Sequence, residues 1–218
     1  MTIETFLDTL SCCRAIAVMR GRSAGRSASA MEAAVGEGFR LLQFSLDAPG
    51  ADQLITEFSR RQGLLVGAGD VLDVADLRAA VAAGASFLTS PVCDRRLIAA
   101  AQDCGVPLLL GGYSPTEMMQ GHQLGATCQL LYPAVPDIAG HVRAVLAALP
   151  FLRIVPTDGV HEGNAAEILA TGAAGVGFAT ALFDPAAIED RRFEVVRRAA
   201  RSLLASIGHF TYETRRRA

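Results

Sequence analysis

Short apolar runs alternate with amphipathic, alanine-rich segments along most of the chain. Eight runs have the length and aliphatic content of buried strands: 15-20, 40-46, 64-69, 86-90, 106-112, 127-133, 152-157 and 173-179. Helical periodicity covers 3-11, 27-37, 50-61, 73-83, 94-104, 115-124, 137-148, 162-171 and 186-206. Strands and helices that alternate in this way are typical of βα units on a parallel sheet.

The number of units favours a closed barrel. An open, doubly wound sheet seldom reaches eight βα units in a chain of 218 residues. We therefore predict an α/β protein with one domain, a (β/α)₈ TIM barrel over residues 1-206 with an extra N-terminal helix. Residues 207-218 lack helical patterning and are expected to form a C-terminal tail.

Charge and composition narrow the range of partners. The net charge is -2 and the basic residues form no stripe apart from the terminal arginines, so we expect no nucleic-acid partner. No apolar run is long enough to span a bilayer, and the first residues lack a basic region, so we expect a cytoplasmic protein without a membrane partner. The five cysteines show no CxxC spacing, which favours reduced, buried thiols. All 20 residues in the Lys+Arg count are arginine.

Candidate functional residues lie where the apolar runs end, because TIM barrels carry their active sites at the carboxyl ends of the strands. These residues are Arg20, Gln43, Asp47, Asp70, Ser90, Tyr113, Leu130, Tyr132, Asp158 and Thr180. Several glycines occur at the same ends, where tight βα turns or a close approach of the backbone to a ligand require them.

Eight motifs at these ends carry a family resemblance. In order they are "IAVMRG", "GFRLLQFSLDAP", "LVGAGDVL", "SFLTSP", "GGYSPTE", "LLYPA", "VPTDGVHEGN" and "GVGFATALFDP". Through them nearly the whole chain resembles the 2-keto-3-deoxy-6-phosphogluconate (KDPG) aldolase family, with its phosphogalactonate and 4-hydroxy-2-oxoglutarate relatives. The resemblance implies a TIM barrel, a homotrimer, and cofactor-free class I aldol chemistry, in which a lysine forms a Schiff base and a glutamate moves protons.

The residues that stand at the family's functional positions differ from that pattern. The lysine position is Leu130 and the glutamate position is Gln43. Asp70 replaces a threonine, and Asp158 replaces the first glycine of a phosphate-binding pair whose second member is Gly159. The pattern is kept at Arg20, Pro91, Gly111, Pro133, Gly159 and Thr180.

These differences affect both steps of the family's chemistry. Leucine is not a nucleophile and glutamine is not a general base near neutral pH, so we predict that the chain lacks Schiff-base activity. A carboxylate at position 158 would repel a phosphate 4 Å away by roughly 4 kcal/mol at an effective dielectric constant of about 20. Phosphorylated sugar acids are therefore disfavoured as ligands.

One hypothesis is a degenerate aldolase that binds a small keto acid or another carboxylate. Arg20 would hold the carboxylate, because a guanidinium can donate two parallel hydrogen bonds to it. The expected ligand-binding residues are Arg20, Gln43, Asp70, Pro91, Gly111, Tyr132, Gly159 and Thr180. The structural alternative for Arg20 is an ion pair with a nearby aspartate.

The other hypothesis is an aldolase or lyase that uses a divalent metal to polarise a 2-keto-3-deoxy or 4-hydroxy-2-oxo acid. Its candidate ligands are Asp47, Asp70 and Asp158, with His161 or Glu162 nearby. The structural alternative for such acidic strand ends is helix capping, for which Asp70 and Ser114 are candidates. A weaker idea makes Cys93 a nucleophile, against a plain surface thiol at a helix start.

Overall fold

The computed structural model describes residues 2–208. Within them eight strands alternate with helices along the chain. The strands are β1 (Ala15–Met19), β2 (Leu41–Ser45), β3 (Leu65–Gly69), β4 (Phe87–Ser90), β5 (Leu108–Gly112), β6 (Cys128–Leu131), β7 (Ile154–Pro156) and β8 (Val176–Phe178). The helices are α1 (Ile3–Cys13), α2 (Ala24–Gly36), α3 (Ala51–Ser59), α4 (Val74–Ala82), α5 (Arg95–Cys104), α6 (Pro115–Leu124), α7 (Ile138–Ala148), α8 (Ala165–Ala170), α9 (Pro185–Glu189) and α10 (Phe193–Ser206).

The strands form one parallel sheet in the order β7-β6-β5-β4-β3-β2-β1-β8. The two end strands of that order approach each other, since Ala174 N donates to Ile154 O at 2.9 Å just before β8. The sheet thus curls into a nearly closed barrel with the helices outside. The predicted (β/α)₈ TIM barrel is confirmed, and every predicted strand contains an observed one.

The barrel interior is a separate apolar core. Side chains alternate between the two faces of each strand, so Ile16 and Val18 on β1 point inward while Ala17 and Met19 contact the outer helices. The inner cluster contains Phe6, Leu10, Cys13, Ile16, Val18, Leu41, Phe87, Leu109, Cys128, Leu130 and Val155. A packed interior leaves ligands only the ends of the barrel.

Helix α1 closes the end of the barrel opposite the carboxyl ends of the strands. Its buried residues are Phe6, Leu10 and Cys13, and all three belong to the inner cluster. The rings of Phe6 and Phe87 lie 5.1 Å apart between centroids. The extra N-terminal helix predicted from the sequence is therefore a plug beneath the barrel core.

Two sequence interpretations need correction. The helix expected over 186-206 is two helices, α9 and α10, because Arg191 adopts a left-handed backbone conformation with φ 56° between them. Asp70 does not cap α4, since the N-cap is Asp73, whose side chain accepts from Asp76 N at 2.8 Å.

Another interpretation is confirmed, and one concerns residues outside the described part of the chain. Ser114 does cap α6, in a capping box with Glu117. The tail expected at 207-218 lies outside the described residues from 209 onward. Across 2–208 there is no helix with the length and apolarity needed to cross a membrane.

Candidate functional site

Polar side chains gather around the mouth of the barrel, at the carboxyl ends of the strands. Alternation along the strands turns these residues toward the barrel axis: Arg20, Gln43, Ser45, Thr89, Leu130, Tyr132 and Thr157. Leu130 is the one apolar residue among them, and it extends the inner core toward the mouth of the barrel. The site thus consists of an apolar floor and a polar rim.

Arg20 crosses the mouth and contacts residues from two other strands. Its Nη2 lies 3.0 Å from Asp70 Oδ1, and its guanidinium lies 5.9 Å from the centroid of the Tyr132 ring. Ser45 Oγ donates to the other oxygen of the Asp70 carboxylate. The ion pair named as the alternative for Arg20 is present, yet 46% of the arginine side chain remains exposed, so a ligand can reach it.

The Asp70 backbone is strained. Its φ of 57° lies in the left-handed region, which non-glycine residues seldom adopt. In this conformation its carboxylate accepts hydrogen bonds from both Arg20 and Ser45. Strained residues of this kind cluster at ligand sites, where the surrounding structure holds them in place.

Leu130 occupies the position that the family resemblance assigns to the lysine. Its side chain is buried and packs in the inner cluster with Val18 and Val155. The aliphatic side chain at this position therefore supplies no amine to the floor of the site.

Gln43, at the family's glutamate position, is buried beside that floor. Its amide packs against Gly69, where a Cβ atom would overlap it. The residue is only 4% exposed, and its Oε1 has no hydrogen-bond partner among residues 2–208. A buried acceptor without a partner is expected to receive a hydrogen bond from water or a ligand hydroxyl.

Asp158 occupies the loop after β7, where the resemblance implies a phosphate cradle. Its Oδ1 accepts from Gly159 N at 3.0 Å, and its Oδ2 accepts from Ala134 N at 3.2 Å. Gly159 has a φ of 68°, a conformation that suits glycine. The carboxylate of Asp158 therefore takes the backbone donors that an external anion would need, while Thr180 stands exposed after β8.

Packing explains Pro91 and Gly111 without a ligand. A Cβ atom on Gly111 would overlap the carbonyl of Pro91, so glycine lets the loop after β4 approach β5. Both residues lie at the mouth end of their strands. Their expected ligand-binding roles, like those of the other candidates, stay a prediction.

The proposed metal ligands do not converge. Asp47 is exposed after β2, Asp70 binds Arg20, and Asp158 binds backbone N–H groups. Nowhere in residues 2–208 do three or more His, Cys, Asp or Glu side chains gather in a group that could hold a metal ion. Geometry gives the metal-dependent hypothesis no support.

The Cys93 thiol is not activated. Partial burial raises its pKa, and the nearby carboxylates of Asp94 and Glu117 raise it further. A thiol with a raised pKa stays protonated near neutral pH and is a poor nucleophile. The interpretation of Cys93 as a plain thiol at a helix start fits this environment.

Three inward polar residues were absent from the sequence-based candidates. They are Ser45, Thr89 and Thr157, which are all buried. Each lies two positions after a residue on the inner face of its strand, namely Gln43, Phe87 and Val155. The period of two would have found them once the inward face was known.

A nearly closed barrel of eight parallel strands, with polar side chains at their carboxyl ends, defines a TIM-barrel protein, a class whose active sites lie at that end. Residues 7–199 match the family model for KDPG and KHG aldolase. The chain therefore belongs to the KDPG and KHG aldolase family.

Individual relatives agree with this assignment. The 2-dehydro-3-deoxy-phosphogluconate aldolase of Pseudomonas aeruginosa is 40% identical over 113 residues, 50% of either chain. A probable 2-dehydro-3-deoxy-6-phosphogalactonate aldolase of Rhizobium meliloti is 28% identical over 173 residues, 78% of this chain and 82% of the relative. The chain spans about half the length of the curated Pseudomonas aeruginosa and Treponema pallidum aldolases that it matches.

A solved structure has a similar fold. The KDPG aldolase from Legionella pneumophila, with pyruvate captured at low pH as a covalent carbinolamine, superimposes with a TM-score of 0.79 at 25% identity. The match covers 90% of this chain and 97% of the other.

Proposed function

We propose that this chain is a degenerate aldolase that binds a small keto acid, or another small carboxylate, at the barrel mouth without Schiff-base catalysis. The observation that carries the proposal is the buried, aliphatic Leu130 at the lysine position, in a chain whose basic residues are all arginine.

A carbinolamine of the kind captured in the Legionella pneumophila relative requires an amine that attacks the keto carbon. No side chain of this protein offers one. Arginine does not substitute for lysine, because its guanidinium stays protonated and cannot act as a nucleophile. The Gln43 amide likewise cannot take the proton that a glutamate would take.

The rim retains what is needed to bind an acid. Arg20 can donate two parallel hydrogen bonds to the carboxylate of a ligand, which would bind to the guanidinium instead of the Asp70 carboxylate or together with it. Gln43 Oε1 offers an unused acceptor for a ligand hydroxyl. Ligands with a phosphate are disfavoured at the β7 loop, because the carboxylate of Asp158 already fills its donors.

The test measures the melting temperature of the purified protein with and without pyruvate. A ligand at a hundredfold excess over its Kd stabilises the folded state by about 2.7 kcal/mol, so we expect a clear upward shift. Arg20→Ala should remove the shift, whereas Arg78→Ala on the exposed face of α4 should keep it. The same samples, reduced with borohydride, should show no covalent pyruvate adduct by mass spectrometry.

Two results would contradict the proposal. An adduct mapped to an internal peptide would show that another group replaces the lysine. Cleavage of a 2-keto-3-deoxy acid that appears only with Mg²⁺ or Mn²⁺ would favour the metal-dependent alternative.

The resemblance also supports a homotrimer as the assembly. Leu72, Val92 and Tyr113 are large apolar side chains that stay exposed on the loops after β3, β4 and β5. Apolar side chains exposed together at one end of a molecule are consistent with burial between protomers.

A further inference from the structure

The barrel mouth contains an ion pair and, next to it, an acceptor without a partner. Arg20 and Asp70 form the pair, with 3.0 Å between Nη2 and Oδ1, and their side chains are 46% and 22% exposed. Gln43 Oε1 is the acceptor, because it is buried and receives no hydrogen bond from any group in residues 2–208. A ligand at the mouth therefore meets a cation, an anion and an unused acceptor.

The order of the strands brings these three groups together. Arg20 follows β1, Asp70 follows β3, and Gln43 lies on the inner face of β2, which is between them in the sheet. The ion pair thus spans the end of β2, where Ser45 also donates to Asp70. The amide of Gln43 packs against Gly69, the residue that precedes Asp70. The three groups therefore lie on one side of the mouth, where one small molecule can contact them all.

A ligand whose only charge is a carboxylate fits this arrangement poorly. Such a ligand would bind Arg20 beside the carboxylate of Asp70, which already lies 3.0 Å from the same guanidinium, and like charges at this range repel each other. Ser45 donates to the other oxygen of Asp70 and so helps to hold this carboxylate in place. A positive group next to the carboxylate of the ligand would offset the repulsion.

The substituent at C2 of the ligand decides whether Gln43 is satisfied. A keto oxygen has no hydrogen to donate, so it leaves Oε1 unpaired, and a buried acceptor without a partner is destabilising. A hydroxyl group donates one hydrogen bond, and an ammonium group donates three. Of these substituents, the ammonium group alone can also pair with the charge of Asp70.

We propose that the barrel mouth binds a small 2-amino acid. Arg20 binds its carboxylate, and its ammonium group donates to Asp70 and to Gln43 Oε1. The two charges of an amino acid are joined through one carbon atom, so they suit a cation and an anion that lie side by side. The aliphatic Leu130 at the floor favours a short apolar side chain. The assignment names the ligand class for the proposed function and rests on it.

The test uses three acids that share one carbon skeleton and differ at C2. L-Alanine carries an ammonium group there, L-lactate a hydroxyl group and pyruvate a keto oxygen. Calorimetric titration of the wild type should show that alanine binds about tenfold more tightly than pyruvate, a difference of about 1.4 kcal/mol, with lactate between them.

Asp70→Asn tests the contact with the ammonium group. Asparagine tolerates the left-handed backbone at this position, where φ is 57°, so the variant should fold. Affinity for alanine should fall about tenfold because the anion is lost, whereas affinity for pyruvate should rise because the competing carboxylate is lost. A purely structural role would weaken the binding of both acids. Asp103→Asn is the matched control, since Asp103 is exposed on α5 and its change should leave all three affinities as they are.

Gln43→Met tests the unused acceptor. Methionine is a flexible, unbranched side chain without a strong acceptor, so affinity for alanine and lactate should fall several-fold more than affinity for pyruvate. Gln53→Met is the matched control, because Gln53 is exposed on α3. The melting temperature of each variant shows whether it is folded.

The outcomes separate this inference from the proposed function. Equal affinities of the wild type for the three acids, or tighter binding of pyruvate or lactate than of alanine, would overturn the amino-acid assignment and leave the proposed function standing. A preference for alanine that persists in Asp70→Asn would overturn the assignment as well. Failure of all three acids to bind to the folded wild type would overturn both.

Discussion

At the scale of single residues, two carboxylates at the barrel mouth are bound by groups of the protein itself. Asp70 binds Arg20 and Ser45, and Asp158 binds the N–H groups of Gly159 and Ala134. Each interaction occupies donors that a ligand would otherwise use. Replacement of either aspartate should therefore change which ligands bind.

Asp158→Gly tests this idea for the β7 loop. The substitution frees both N–H groups and removes a negative charge, so affinity for inorganic phosphate should rise at least about tenfold. Calorimetric titration measures the change, and Asp47→Gly provides a control because Asp47 is an exposed aspartate in another mouth loop. Equal phosphate binding by wild type and Asp158→Gly would mean that the loop is no anion cradle.

The sequence identified residues at the strand ends of the site, but it did not identify the contacts that these residues make. Arg20 was identified because it ends an apolar run, which is a local property, whereas Gln43 and Leu130 lie within their runs and were matched through the family resemblance. The partner of Arg20 lies 50 positions away and depends on the left-handed backbone of Asp70, for which the sequence contains no glycine signal. The hydrogen bond from Ala134 N, in the loop after β6, to Asp158 was equally hidden.

At the scale of elements, α1 stabilises the barrel from the end opposite the site. Phe6 is fully buried against Phe87 within the inner cluster, so its removal leaves a cavity in the barrel core. Phe6→Ala should lower the free energy of unfolding by about 3–5 kcal/mol.

Equilibrium unfolding in urea measures this loss. Ile3→Ala is the control in the same helix, because Ile3 is 44% exposed and its truncation should change stability by less than about 0.5 kcal/mol. A loss below about 1 kcal/mol for Phe6→Ala would mean that α1 does not close the barrel core.

Strands were easier to predict than helix ends. Each strand is buried on both faces and appears as an apolar run, as expected for a parallel sheet. The break between α9 and α10 was missed because Arg191 ends the first helix in a conformation usually marked by glycine. Although no glycine is present, Arg192 N donates to Ala187 O at 2.7 Å and completes the turn that ends α9.

At the scale of the whole molecule, the proposed trimer predicts a mass of three times the 22.9 kDa chain by sedimentation equilibrium. Val92→Glu places a charge in the exposed apolar surface near Leu72 and Tyr113, so it should shift the mass toward that of a single chain. An unchanged circular dichroism spectrum would show that the barrel still folds. A wild-type protein that sediments as one chain at micromolar concentration would exclude the trimer.

The carboxylate of Asp158 also competes with any free anion for the N–H donors of the β7 loop, and it does so from within the same molecule. A carboxylate joined to the loop by one methylene group acts at an effective concentration that is set by covalent geometry, and short tethers give values in the millimolar range or above. A free anion must exceed that concentration, or bind more strongly, before it displaces the tethered carboxylate. The loop can therefore keep its backbone shape while a single side chain occupies its N–H donors until a free anion outcompetes it.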